Sequence, residues 1–209
     1  MVRTNSTMLP LGTELPKFEL QVVNKNQNPT DHTHERDLDY ISNASLSSRP
    51  LLLMVICAHC PFVKHIESQI TMIQEDYTKS LEIIGISSNS LLTHPQDGPS
   101  NLAHQAINAG WHFPYLLDED QSFAKSLRAA CTPDFFLFSR PSGDPLTPKL
   151  VYRGQLDESR PGNKTPVTGA DLRFAIDSLL ADKPISRDQK PSIGCNIKWH
   201  PGNEPSWFG

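Results

Sequence analysis

The chain has no apolar run near the ~20 residues that cross a bilayer as a helix. Its opening, MVRTNSTMLPLG, also lacks the roughly 7–15-residue apolar core of a secretory signal. Nor is there an excess of positive charge. The 19 Lys and Arg face 23 Asp and Glu, giving a net charge of −4 and a pI near 6.0. That balance argues against nucleic acid or an acidic membrane surface as the main partner. Cysteine is scarce, with four thiols at Cys57, Cys60, Cys131 and Cys195. These features lead to the expectation of a cytoplasmic protein whose thiols react or bind metal rather than staple a disulfide framework. No internal repeat is visible. What is present is length enough for one domain with a real core, 209 residues, and eighteen prolines that imply many turns.

The most informative stretch begins at Pro50. Leu51 to Ile56 is unbroken apolar sequence, as expected of a strand buried on both faces. It ends at Cys57-Ala58-His59-Cys60-Pro61. Phe62, Val63, Ile66, Ile70, Ile73 and Tyr77 then recur at three- and four-residue steps, one face of a helix. Pro61 suits the first helical turn, where its missing N–H costs nothing. Cys60 is thereby placed at a helix N-terminus, where unpaired N–H groups and the helix dipole favour a thiolate.

The remaining chain is read around this unit. Residues 10–23 predict an edge strand or hairpin, and 24–50 a polar loop with one short helix near Asp37–Ile41. His32 and His34 in that loop are read as solvated rather than ligating. Leu81–Ile86 is a second buried strand, parallel to the first because a helix-length connection separates them. Helices are expected at Pro99–Ala109, closed by Gly110, at Ser122–Ala130, and from a Thr168 cap through Leu180. Phe113–Leu117 is a short extended stretch, and Phe135–Phe138 with Lys149–Arg153 forms a hairpin. The organisation is one domain over 1–209: an N-terminal strand or hairpin and loop to residue 50, a core over 51–180, and an irregular tail over 181–209 that packs on it.

A parallel strand-helix-strand unit, then an antiparallel hairpin and a covering helix, with a cysteine on the first helix's N-terminus, resembles the thioredoxin fold. This is an α/β fold with a central mixed sheet flanked by helices. Cys131-Thr132-Pro133-Asp134 precedes the next strand, and the resemblance implies that Pro133 is the cis-proline packed against the nucleophile. More narrowly, His59-Cys60-Pro61-Phe62-Val63-Lys64, Cys131 to Phe138, Tyr152-Arg153-Gly154 and Gly194-Cys195-Asn196-Ile197-Lys198-Trp199 resemble the peroxiredoxin-like branch of that superfamily. That branch is the alkyl hydroperoxide reductase and thiol-specific antioxidant group. Cys60 then matches the peroxidatic cysteine. Val63 stands where thioredoxin has its second cysteine. Cys57 and Leu53 occupy the places of the peroxiredoxin threonine and proline.

The resemblance implies a thiol oxidoreductase that needs no cofactor. Cys60 attacks a hydroperoxide or disulfide substrate, a second cysteine resolves the product, and a thioredoxin-type reductant restores the thiols. Candidate resolvers are Cys195 in the tail, anchored by Trp199, Trp207 and Phe208, together with Cys131 and Cys57. Thr132 lies beside the site. His59, if charged, would lower the Cys60 pKa, and Arg153 is a candidate to hold the thiolate and polarise peroxide. Two alternatives keep the fold. One is copper binding or delivery through Cys57, Cys60 and His59; the other is a redox sensor without turnover.

Overall fold

The computed structural model describes residues 3–25, 39–140 and 147–208. In chain order the strands are β1 (Arg3–Asn5), β2 (Glu19–Val22), β3 (Tyr40–Ser42), β4 (Leu51–Val55), β5 (Glu82–Ser87), β6 (Tyr115–Leu117), β7 (Cys131–Thr132), β8 (Asp134–Ser139), β9 (Lys149–Gly154) and β10 (Ile193–Asn196). The α-helices are α1 (Pro61–Tyr77), α2 (Pro99–Ala109), α3 (Ser122–Ser126) and α4 (Ala170–Leu180). Seven strands form a mixed sheet in the order β3-β2-β6-β5-β4-β8-β9, and β1-β10-β7 form a separate small sheet. Strands β4, β5 and β6 run parallel, while β8 pairs antiparallel with both β4 and β9. This is the thioredoxin-like α/β fold, a mixed sheet flanked by helices.

β4 has no exposed residue because both of its faces meet apolar layers. Leu52, Met54 and Ile56 pack with buried residues of α1, α2 and α4, whereas Leu51, Leu53 and Val55 pack with Phe123 of α3, Ile197 and Trp199. Each such side chain gains about 1.5–3 kcal/mol on full burial, so an unbroken apolar run is stable only in this central position. Helix α1 buries the predicted stripe from Phe62 to Tyr77, and Tyr77 Oη donates to Asp177 Oδ1 at 2.7 Å. Gly110, with φ of 70°, closes α2 in the left-handed conformation expected of it. None of the described helices is long and apolar enough to cross a membrane.

Several local expectations are corrected. Within the described residues of Asp37–Ile41, Tyr40 and Ile41 lie in strand β3 rather than a helix. β3 takes the sheet edge, so β2 lies inside it, between β3 and β6. His32 and His34 lie outside the described residues, as does most of the β8–β9 connection. α3 stops at Ser126 instead of Ala130, because the chain is drawn into pairing with β10: Ile197 N donates to Ala130 O at 3.0 Å. α4 begins after Gly169, with the Thr168 hydroxyl accepting the Ala170 N–H at 3.3 Å. The tail carries β10, which is paired on both edges.

Candidate active site

Three chain segments meet at the end of β4. Cys60 is the N-cap residue of α1, with Pro61 in the first turn. Thr132 and Pro133, joined by a cis peptide bond, lie opposite it where β7 passes into β8. Cys60 Sγ is 3.3 Å from the Thr132 carbonyl. The third segment is β10, in which Cys195 is the register partner of Thr132 on one side and Arg3 on the other. That pairing brings Cys195 Sγ to 2.9 Å from Cys60 Sγ. Closing this contact to a disulfide of ~2.05 Å requires a movement of about 0.9 Å. Gly194 lets the strands approach, since a Cβ there would lie 2.0 Å from the Thr132 carbonyl oxygen.

The two sulfurs are electrostatically unlike. Hydrogen bonds from Cys195 and then Cys57 pull the Cys60 pKa far below that of a free thiol. Burial opposes them, and Thr132 and the Val63 N–H add to the lowering. Cys195 is raised, first by its hydrogen bond to Cys60 and then by burial. Cys57 is raised by its hydrogen bond to Cys60, by burial and by the Asp97 carboxylate. Of the three adjacent thiols, Cys60 is therefore the one whose surroundings favour the thiolate.

A second layer holds the Cys57–Cys60 turn. Asp97, fully buried in the short Pro95–Asp97 helical turn, accepts the Ala58 N–H at 2.9 Å and the His59 N–H at 3.1 Å on Oδ1. Its Oδ2 meets His59 Nδ1 at 2.5 Å and accepts from Asn89 Nδ2 at 2.8 Å. Burial would raise the Asp97 pKa, but the His59 and Asn89 hydrogen bonds outweigh it and hold the carboxyl below its usual range. The His59 ring stacks on His94 with centroids 5.3 Å apart. Gln105 Nε2 donates to the Cys57 carbonyl, and its Oε1 accepts from Tyr115 Oη.

The family model described as AhpC/TSA matches residues 11–142. The chain belongs to the AhpC/TSA family. It is also similar over nearly its whole length to two solved structures. One is an uncharacterized conserved protein from Geobacillus kaustophilus, with 42% identity, TM-score 0.84, and 96% of this chain and 98% of that one covered. The other is a hypothetical protein from Sinorhizobium meliloti 1021, with 38% identity, TM-score 0.82, and coverage of 94% and 98%. The thioredoxin domain of a thiol-disulfide oxidoreductase from Bacteroides vulgatus, 14% identical with TM-score 0.57 and coverage of 82% and 99%, shares the fold. No curated protein matches the chain. As a member of the AhpC/TSA family the chain is a thiol-dependent, thioredoxin-fold redox enzyme.

The site residues named from sequence fall into two groups within this AhpC/TSA chain. Cys57, His59, Cys60, Thr132, Pro133 and Cys195 converge, with Cys57 Sγ 3.4 Å from Thr132 Oγ1. Cys195 lies in a strand rather than in an irregular tail. It is 1% exposed and fixed in β10, because both strand edges are paired. Trp199 is buried as an anchor, and Trp207 lies under Arg128. Cys131 faces carbonyls, with Sγ 3.7 Å from Pro133 O and 3.9 Å from Ser192 O, and burial raises its pKa. Arg153 does not hold the thiolate. Its guanidinium donates to the Leu9 carbonyl and Gln189 Oε1, because β9 carries it towards the N-terminal segment. The residue missed from sequence is Asp97. A signal existed: loops that leave the carboxyl ends of adjacent parallel strands meet in space, and Asp97 lies in the loop after β5.

Proposed function

We propose that this enzyme reduces small hydroperoxides with Cys60 as nucleophile and Cys195 as resolving thiol. The Cys60 thiolate attacks the distal peroxide oxygen. The O–O bond breaks, the alcohol or water leaves with a proton, and Cys60 becomes a sulfenic acid. Cys195 then attacks that sulfur, an S–S bond forms, and water leaves. A thioredoxin-type dithiol returns two electrons and two protons, restoring both thiols. Support comes from one contact above all: a low-pKa thiol at a helix N-terminus lies 2.9 Å from a second thiol. Peroxide orientation falls to the Thr132 region, since Arg153 is engaged elsewhere and Cys57 replaces the usual threonine. Both sulfurs are buried, which favours hydrogen peroxide over bulky organic peroxides.

The test is peroxide consumption coupled to a thioredoxin and thioredoxin reductase system. Wild type should turn over. Cys60→Ser should be inactive, and Cys195→Ser should lose thioredoxin-driven turnover while still reacting once. Absence of peroxide-dependent turnover by fully reduced wild type would remove the proposal.

A further inference from the structure

Beside the sulfur pair lies a set of donors that takes no covalent part in peroxide reduction. One ligand atom each from Cys57, His59 and Asp97 lies within 4.8 Å of the others. Cys57 and Asp97 are buried, and His59 is partly exposed, so the cluster has a floor and an entrance. Cys60, which the sequence grouped with Cys57 and His59, lies against Cys195 and is not one of the three, and a carboxylate completes the set.

We propose that Cys57, His59 and Asp97 form a Zn(II) site. One thiolate, one imidazole and one carboxylate match the sulfur, nitrogen and oxygen donors that zinc accepts together. The oxygen donor makes Cu(I), which prefers soft sulfur ligands, the poorer occupant. His59 Nδ1 and Asp97 Oδ2 are 2.5 Å apart. Zinc bound between them, with tetrahedral ligation at ~2.0–2.1 Å, separates the two atoms to about 3.3 Å, a shift of about 0.8 Å.

The outer layer is already arranged for this. The Ala58 and His59 N–H groups fix Asp97 Oδ1, and Asn89 fixes Oδ2, the kind of support that orients a ligating carboxylate. Three protein ligands leave a fourth position for a water, and the His94 ring stacks on His59. Zinc would take Cys57 out of thiol chemistry and leave Cys60 and Cys195 as the exchanging pair.

The test is anaerobic titration of the reduced full-length protein with zinc chloride, followed by calorimetry, with cobalt(II) as a spectroscopic substitute. Wild type and Cys60→Ser should each bind one equivalent. Cys57→Ser, His59→Ala and Asp97→Asn should each bind at least about tenfold more weakly. The sulfur-to-cobalt charge-transfer band should vanish in Cys57→Ser and persist in metal-saturated His59→Ala. Circular dichroism identifies any variant that fails to fold, and partly exposed His59 supplies a decisive variant if buried Asp97 does not tolerate replacement. Failure of wild type to bind overturns the site. So does loss of binding in Cys60→Ser with retention in His59→Ala, which would assign the metal to the thiols alone. Peroxide turnover of metal-free protein is read separately, so failure of either proposal is distinguishable from failure of the other.

Discussion

Replacing Cys195 with alanine removes the foremost of the donors that face the Cys60 sulfur. A hydrogen bond to a charged group is worth about 1.5–3 kcal/mol, and one pKa unit corresponds to about 1.4 kcal/mol. Cys195→Ala should therefore raise the Cys60 pKa by about one to two units, since Cys57, Thr132 and the Val63 N–H remain in place. Cys195→Ser, whose hydroxyl still donates, should move it less. Thiolate absorbance in the ultraviolet reads the change directly, because Cys57, Cys131 and Cys195 have raised pKa values and ionise after Cys60. Stability follows the same sign. A depressed thiol pKa stabilises the fold fully above the unfolded value of ~8.5, and this contribution is lost as pH falls through the folded pKa. Cys195→Ala narrows that window. An unmoved Cys60 midpoint, or equal shifts for alanine and serine, would refute the assignment of Cys195 as its principal donor.

Other substitutions probe the surroundings. Asp134 is 1% exposed, and burial raises its pKa well above the ordinary value against the weaker opposing pull of Ser192 and the Phe135 N–H. The wild-type fold must then lose stability as pH rises from ~3.9 towards the raised folded value. Asp134→Asn should flatten that decline in thermal melts, and an unchanged pH slope would count against a neutral Asp134. Gly194→Ala should cost about 1–3 kcal/mol by overpacking against the Thr132 carbonyl, and should slow disulfide formation by parting β10 from β7. Denaturant unfolding and thiol trapping measure the two effects, and a neutral result on both would show that the strands tolerate separation. Hydrogen peroxide should oxidise Cys60 faster than cumene hydroperoxide in stopped-flow assays, because the sulfur is fully buried; the reverse order would mean that the site opens widely.

The parts of the fold set by periodicity were legible in the sequence. The apolar run of β4, the stripe along α1, the terminating Gly110 of α2 and the β8–β9 hairpin follow from local spacing, as does Cys60 at the α1 N-cap. Long-range pairing was not legible. Nothing within Ile193–Asn196 signals that its partners are Arg3–Asn5 and Cys131–Thr132, because a four-residue strand between prolines and polar residues looks like any exposed tail. The same pairing shortened α3 and fixed Cys195 in place. Arg153 was misjudged because its position on β9 is evident from sequence whereas the course of its side chain towards Leu9 and Gln189 is not. Asp97 is 38 residues from His59, and only the parallel β4–β5 pairing brings their loops together.

The central claim is that Cys60 and Cys195 are the exchanging pair, and mass-spectrometric disulfide mapping tests it most directly. Reduced, metal-free protein would receive one equivalent of hydrogen peroxide, with Cys60→Ser as control. A rapidly formed Cys60–Cys195 disulfide, absent from the control, is the predicted result. A disulfide pairing Cys60 with Cys57 or Cys131, or four thiols that stay reduced, would contradict it.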